Sequence, residues 1–174
     1  TPLEGLVMAT RSGNVDPGLV LWLAEREPGV AAALEHRSGL AGLAGTDDMR
    51  EVVARSSNDS DGNARLALAV YLHRLRGQFA AMTAALGGVD ACVFTGGVGE
   101  HSAAVRDAMV SGLGFLGLRL DGDANASASG DTDVSAKDSV TRVLVIEARE
   151  DLEMAREARQ LQARRHGIMG HRYC

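Results

Sequence analysis

The stretch "FTGGVGEHS", Phe94–Ser102, places three glycines directly after an apolar segment. Residues 89–94 are rich in strand-forming side chains, whereas residues 102–113 carry apolar side chains at helical spacing. The pattern therefore predicts a strand, a glycine turn and a helix whose N-cap is Ser102. Because glycine lets a backbone approach a phosphate closely and a helix start presents unpaired N–H groups, this arrangement is typical of anion binding.

These glycines also have an explanation that involves no ligand. A turn between a strand and a helix often needs positive φ angles or close packing, and glycine supplies both. The stretch matches neither the G-x-x-x-x-G-K-[ST] pattern of P-loops nor the G-x-G-x-x-G pattern of dinucleotide-binding domains. Spacing alone leaves phosphate binding and a purely structural turn open.

Composition argues against several classes of function. The chain has 174 residues and a net charge of −5, so its length allows one good core and its charge gives no reason to expect binding to nucleic acid or to a membrane. Cys92 and Cys174 lie far apart in the sequence, which argues against a disulfide framework or a cysteine metal site. With no apolar run near the ~20 residues of a membrane span and no recognisable signal peptide, we expect a cytoplasmic protein. Since the first residue is Thr1 rather than Met, we expect part of a longer polypeptide.

The remaining sequence alternates predicted helices with a second predicted strand, which indicates an α/β domain. Capping residues such as Asp16 mark helix starts, and Gly87-Gly88 ends the longest helix. The predicted elements are a buried helix over Gly18–Arg26, a helix over Val30–His36, a loop over 42–53 whose Thr46 or Asp47 could cap a helical turn, the longest helix over Asn63–Leu86, an exposed connection over Asp121–Asp138, a strand over Thr141–Ile146, a helix over Glu150–Gln162 and a loose tail over 164–174.

Three motifs together resemble the C-terminal domain of the acetate kinase (acetokinase) family. They are "TPLEGLVMATRSGNVDPG" (1–18), "FTGGVGEHSAAVR" (94–106) and "VLVIEAREDLEMARE" (143–157), in this order. The family belongs to the acetate and sugar kinase, Hsp70 and actin superfamily. The resemblance implies an α/β, actin-like ATPase (ribonuclease H-like) domain, in which a mixed sheet is flanked by helices.

The resemblance also implies an activity. Acetate kinases move a phosphoryl group reversibly between ATP and acetate, giving ADP and acetyl phosphate, with Mg²⁺ or Mn²⁺ as the metal. It implies that residues 1–163 form the C-terminal lobe of such an enzyme and that residues 164–174 are a flexible tail. It also implies a homodimer assembled through this lobe, for which helix Asn63–Leu86 offers a candidate surface. Since this lobe lacks counterparts of the first-lobe residues, we expect the chain alone to be inactive. The alternatives are a propionate or butyrate kinase of the same family and a non-catalytic nucleotide-binding or dimerisation module.

Arg11, in "ATRSG", is the candidate catalytic residue. The residue pattern by itself fits a surface arginine in a turn. In the family, the arginine of this motif lies against the transferred phosphoryl group. A guanidinium suits that role because it is permanently charged and planar and can bridge two phosphoryl oxygens.

Two segments are candidate nucleotide-binding residues. Asp48, Met49 and Arg50 resemble the family's Asp-Phe-Arg stretch, where a carboxylate can accept ribose hydroxyls and an arginine can stack on a purine. A capped helical turn with a solvated arginine explains the same three residues. The second segment resembles the family's phosphate loop, although the family usually has Asn in place of the histidine, and comprises Gly96, Gly97, Val98, Gly99 and His101.

Glu150 is the candidate metal ligand. It falls where the family's Asn-Glu-Glu motif carries its metal-anchoring acid, although Arg149 replaces the asparagine here. Mg²⁺ in kinases is usually held through few carboxylates together with water and phosphate oxygens. An acidic first helical turn, which the helix dipole favours, is the structural alternative.

Overall fold

The domain is built on a small mixed sheet. The computed structural model describes the backbone of residues 5–169 and the side chains of residues 5–163. Strand β1 (Ala91–Phe94) pairs in parallel with β3 (Arg142–Val145), and β2 (Thr132–Asp133) pairs with β3 in the antiparallel sense. The strand order is β1-β3-β2. The predicted mixed sheet is therefore confirmed.

Helices flank the sheet and supply most of the structure. No helix within residues 5–169 is both long and apolar enough to cross a membrane. The helices are α1 (Pro17–Ala24), α2 (Val30–His36), α3 (Gly39–Ala44), α4 (Met49–Ser56), α5 (Gly62–Leu86), α6 (Gly96–His101), α7 (Ala103–Ser111), α8 (Gly122–Ser127) and α9 (Glu150–Met169).

The core lies between one face of the sheet and the helices α3, α4, α5 and α7. Cys92 and Phe94 alternate with exposed residues along β1, and Val143 and Val145 alternate with the exposed Arg142 and the half-buried Leu144 along β3, so both strands bury the same face. From the longest helix, small side chains such as Ala67 reach the core and let the neighbouring helices approach closely. Burial of apolar surface along this face holds the layers together.

Several local predictions are confirmed. The side chain of Asp16 accepts a hydrogen bond from Leu19 N at 3.0 Å and thereby caps α1. Helix α2 has the predicted bounds, and α5 begins one residue earlier than predicted and ends before Gly87, whose φ of +75° only glycine adopts easily. Ser102 caps α7 by accepting from Val105 N at 3.3 Å.

Other predictions are wrong in ways that have a physical reason. Helix α1 is not buried: the side chains of Leu21 and Trp22 are more than half exposed, because this helix packs mainly against the short helix α2. The predicted loop over 42–53 is mostly helical, and its cap is Asp48 rather than Thr46 or Asp47, because Asp48 directly precedes α4 and accepts from Arg50 N at 2.8 Å.

Three further boundaries differ from the predictions. The glycine turn is itself a short helix, α6. The connection Asp121–Asp138 is not fully exposed but contains α8, β2 and the completely buried Val134. Helix α9 continues from Glu150 to Met169, past the predicted end at Gln162 and into the predicted tail. Residues 170–174 of that tail lie outside the described residues, and the flexibility of the tail stays a prediction.

A buried arginine joins the glycine helix α6 to α7 and α8. Arg106 is 2% exposed, and its Nε donates to Asn125 Oδ1 at 2.6 Å while Nη2 donates to the Asn125 carbonyl at 2.7 Å. Its Nη1 donates to the carbonyls of Gly99 and Glu100, both at 2.8 Å. Without the guanidinium these acceptors would lose their donor inside the protein. The hydrogen bonds to them offset the free-energy cost of removing the Arg106 charge from water.

We expect the substitution Arg106→Leu to lower the free energy of unfolding by about 2–4 kcal/mol, because buried carbonyls would lose their donor. The matched control is Arg142→Leu, which removes an exposed arginine whose ion pair with Asp133 is 2.6 Å long. An exposed pair contributes at most about 1 kcal/mol. Urea unfolding followed by circular dichroism measures both variants, and equal losses would contradict the role given to Arg106.

Candidate functional site

A cavity of about 450 Å³ lies between the start of α4, the middle of α5 and the glycine helix α6. It gathers two segments that are far apart in the sequence, residues 47–50 and residues 97–102. Six predicted nucleotide-binding residues line it, namely Asp48, Met49, Arg50, Gly97, Val98 and His101.

The cavity has apolar walls with a few polar groups at its edge. Val7, Leu40 and Tyr71 contribute the apolar surface together with Met49, which is 6% exposed. A cavity of several hundred Å³ with apolar walls and a few fixed polar groups is typical of a small-molecule site. The size and lining suit a flat ring system with polar substituents.

Asp48 and Arg50 are bound to each other at the cavity edge. The Asp48 Oδ2–Arg50 Nη2 distance is 2.6 Å, and Arg50 Nε donates to Asp48 Oδ1 at 3.0 Å. The Arg50 side chain, with the Arg50 backbone N–H, lowers the pKa of Asp48 to about 2. Asp48 is therefore ionised at neutral pH. Arg50 donates two hydrogen bonds to each of its oxygens, so a ligand hydroxyl would take the place of one of these bonds.

The glycines of α6 differ in what requires them. A Cβ on Gly97 would meet no atom within 4 Å, so the fold itself leaves this position open beside the cavity. A Cβ on Gly99 would come within 3.3 Å of the Phe94 backbone, so close packing against the end of β1 explains this glycine. Gly96 has a φ of +72°, and its N–H donates to Glu100 Oε1 at 2.6 Å. Gly96 and Gly99 do not line the cavity.

His101 ends α6 and its side chain is exposed. It lines the large cavity and also a smaller one of about 110 Å³, whose other walls include Glu100, Ser129 and Glu147. The imidazole therefore stands between the predicted nucleotide cavity and the segment that leads to α9.

Arg11 lies apart from this cavity. It is exposed and lines a second cavity of about 380 Å³ with residues of the neighbouring turn and of α2. The turn is held by Ser12 N, which donates to the Leu34 carbonyl at 2.8 Å. Within residues 5–163 the Arg11 guanidinium has no hydrogen bond or ion pair, so its charge is available to a ligand.

Glu150 is the first residue of α9 and is exposed. The preceding Arg149 binds Asp131 at 2.9 Å, so its guanidinium is already engaged in an ion pair within the domain. In the described part of the chain, no group of three or more His, Cys, Asp or Glu side chains could hold a metal. A single exposed carboxylate still fits Mg²⁺ in a kinase, because water and phosphate oxygens complete its coordination.

The sequence analysis did not identify the apolar walls of the cavity. Tyr71 is 8% exposed, whereas the large apolar side chains of Leu66 and Met82 on the same helix are more than half exposed. Ala64, Ala67 and Tyr71 mark the buried face of α5, and small residues at this spacing were the available signal.

Comparison with known proteins gives consistent matches. The chain matches the model of the Acetokinase family over residues 1–156. An acetate kinase of Gloeobacter violaceus is 43% identical over 164 residues, which are 92% of this chain and 40% of that protein. The chain thus spans about two fifths of the length of the curated relatives it matches.

Solved structures show the same fold. The crystal structure of Porphyromonas gingivalis acetate kinase has a TM-score of 0.82 and 33% identity, covering 93% of this chain and 42% of that one. The structure of a propionate kinase from Francisella tularensis has a TM-score of 0.78 and 35% identity, covering 87% of this chain and 40% of that one. These matches confirm the actin-like fold class expected from the sequence.

The contrast between two glycines of α6 gives a testable prediction. We expect Gly97→Ala to leave the melting temperature unchanged or slightly raised, because alanine fits the open space and favours a helix. We expect Gly99→Ala to lower the melting temperature by a few degrees, since its Cβ must displace the end of β1. Thermal unfolding of both variants measures this difference, and the reverse order would contradict it.

Proposed function

Because this chain belongs to the acetokinase family, we propose that it forms the nucleotide-binding lobe of a kinase that moves a phosphoryl group reversibly between ATP and acetate, giving ADP and acetyl phosphate. The observation that carries the proposal is the convergence of residues 48–50 with Gly97, Val98 and His101 on one cavity. Both segments resemble nucleotide-binding segments of the family, and the fold brings them together although they are far apart in the sequence.

The cavity supports a nucleotide as the ligand. The apolar walls around Tyr71 and Met49 suit a purine ring, and the ionised Asp48 can accept a ribose hydroxyl in exchange for one of its hydrogen bonds from Arg50. Gly97 leaves space for the phosphate chain to approach the backbone of α6. Arg50 is held by Asp48 at the rim, where its planar guanidinium can cover one face of the base.

Phosphoryl transfer depends on positioning and on neutralisation of charge. Arg11 is exposed and, within residues 5–163, unpaired, so it is free to bind two oxygens of the transferred phosphoryl group as a planar fork. We propose Glu150 as the carboxylate that holds Mg²⁺ or Mn²⁺. The metal, when bound, neutralises charge on phosphate oxygens.

Further properties follow from the same proposal. We propose a cytoplasmic homodimer assembled through this lobe. Apolar side chains exposed on α5, such as Leu66 and Leu86, support the dimer. We propose acetate as the acyl substrate. The likeness to the Francisella propionate kinase makes propionate the second candidate.

The experiment that tests the proposed function uses the complete polypeptide and traps acetyl phosphate formed from ATP and acetate as a hydroxamate. In it, we expect Arg11→Ala to lower kcat by about 10³-fold or more, because an arginine on the transferred group acts mainly in the transition state. The KM for ATP should stay nearly unchanged. Arg11→Lys should restore little, since an ammonium cannot span two oxygens.

The control for Arg11 is Arg119→Ala, which removes an exposed arginine whose distance to Asp138 is 3.6 Å. It should keep parental kcat. A parental kcat for Arg11→Ala would refute its catalytic role, and a collapsed melting temperature for that variant would instead make Arg11 structural. A wild-type protein that binds ATP but forms no acyl phosphate from acetate or propionate would favour a non-catalytic nucleotide-binding module.

Glu150→Ala should raise the Mg²⁺ concentration needed for half-maximal activity by about tenfold or more, because the metal loses its carboxylate. The matched control is Glu157→Ala, which removes an exposed acid two turns further along α9. Titration of activity with Mg²⁺ measures both variants. If both leave the Mg²⁺ requirement unchanged, Glu150 serves only the helix dipole.

A further inference from the structure

Glu100 contacts both of the segments to which the proposed function assigns ligands. Its Oε1 accepts hydrogen bonds from Gly96 N at 2.6 Å and from Ala148 N at 2.9 Å. Gly96 begins the helix that lines the nucleotide cavity, and Ala148 lies two residues before Glu150. Glu100, which is itself part of α6, thus links its own helix to Ala148, 48 residues later in the chain.

The hydrogen bond from Ala148 N to Glu100 lies just beyond the end of the β1–β3 pairing. The pairing of β1 with β3 ends at Phe94 and Val145, and one further bond follows, from Ile146 N to the Phe94 carbonyl at 2.9 Å. Beyond that point β1 continues into α6 and β3 continues towards α9. The hydrogen bond from Ala148 N to the Glu100 carboxylate therefore connects the two segments beyond the last backbone hydrogen bond of the sheet.

The backbone of Glu100 is itself held in position. Its carbonyl oxygen accepts from the buried Arg106 guanidinium at 2.8 Å, so the backbone from which the carboxylate projects is held in the core. The N–H groups of Ala148 and Gly96, with the nearby His101, hold the pKa of the Glu100 carboxyl below its usual range. The group is therefore an anion at neutral pH, and charge-assisted hydrogen bonds of this kind are about twice as strong as neutral ones.

We propose that Glu100 is a positioning residue, which sets the nucleotide-side helix α6 and the Glu150 end of α9 in one fixed relation by binding Gly96 N and Ala148 N with a single oxygen. The proposal rests on the proposed function. It assigns Glu100 no contact with substrate. Its consequence is that one substitution should weaken two processes, nucleotide binding and the response to Mg²⁺.

A second acid holds the same segment before α9 from the other side and provides a control. Asp131 Oδ1 accepts from Glu147 N at 3.0 Å, and Asp131 Oδ2 binds Arg149 at 2.9 Å. Asp131 has no bond to α6 among the described residues. Asp131→Leu, which removes both acceptor oxygens, therefore loosens the segment that leads to Glu150 without touching the nucleotide-side helix.

The test compares Glu100→Leu, Glu100→Gln and Asp131→Leu in the complete polypeptide. Hydrogen exchange should become faster at both Gly96 N and Ala148 N in Glu100→Leu, but in Asp131→Leu it should become faster at Glu147 N and stay parental at Gly96 N. Affinity for ADP without Mg²⁺, measured by calorimetry, should fall about tenfold in Glu100→Leu and stay within about twofold in Asp131→Leu. The Mg²⁺ requirement should rise about 10–100-fold in Glu100→Leu, as for residues that orient a metal ligand.

The conservative variant separates positioning from mere stability. Glu100→Gln keeps an oxygen that can accept both N–H groups, so it should recover part of the ADP affinity and of the exchange protection. Parental ADP affinity in a folded Glu100→Leu would overturn the proposal, even if its melting temperature fell. Should Glu100→Leu not fold, Glu100→Ala takes its place, and parental exchange at Gly96 N and Ala148 N in that variant would overturn the proposal.

The proposed function and this inference fail in different ways. A wild-type protein that forms no acyl phosphate would remove the proposed reaction, whereas the exchange and ADP measurements would still test the bridge. An active wild-type protein whose Glu100→Leu variant keeps parental ADP affinity and Mg²⁺ requirement would remove the bridge alone.

Discussion

The buried guanidinium of Arg106 is the constraint on which the rest of the domain depends. It binds carbonyls of α6 and both oxygens of Asn125 in α8, while its own backbone belongs to α7. A buried charge tolerates little displacement of its acceptors, because each lost hydrogen bond leaves a polar group unpaired. Three short helices that could not persist alone thereby acquire one geometry. Because α6 is one of these helices, the part of the cavity wall that it forms is held in position as well.

The parallel pairing of β1 with β3 determines where the site lies. The carboxyl ends of two parallel strands meet at the same edge of the sheet, and open α/β sheets usually bind ligands there. At this edge β1 leads into α6, and β3 leads into the segment before Glu150. Residues that are about 50 positions apart are therefore neighbours at one edge, and the Glu100 carboxylate joins them.

Local patterns predicted the parts of the fold that local chemistry determines. The caps at Asp16 and Ser102, the bounds of α2 and the glycine end of α5 depend on nearest neighbours in the chain. The segment Asp121–Asp138 could not be predicted in this way, because its small polar residues resemble an exposed connection. What buries Asn125 is a partner 19 residues earlier in the chain.

The candidate site was predictable to a similar extent and for a similar reason. Resemblance to family motifs indicated residues 48–50, 96–99 and His101, and most of them line one cavity. It did not indicate which glycine the fold requires, because the contact of Gly99 with Phe94 depends on how α6 follows β1.

For the proposed nucleotide, the charges around the cavity favour the base and ribose over the phosphates. Asp47 and Asp48 are acidic, and Arg50, the arginine at the rim, is already paired with Asp48. Arg11 lies in a different cavity. A polyphosphate would bring several negative charges close to Asp47 and Asp48, on a surface that offers it little positive charge. The base and ribose can bind here without bringing those charges. Neutralising the phosphates requires a cation such as Mg²⁺ and further basic groups. Catalysis by such an enzyme therefore depends on bringing this cavity, Arg11 and those groups together around one nucleotide.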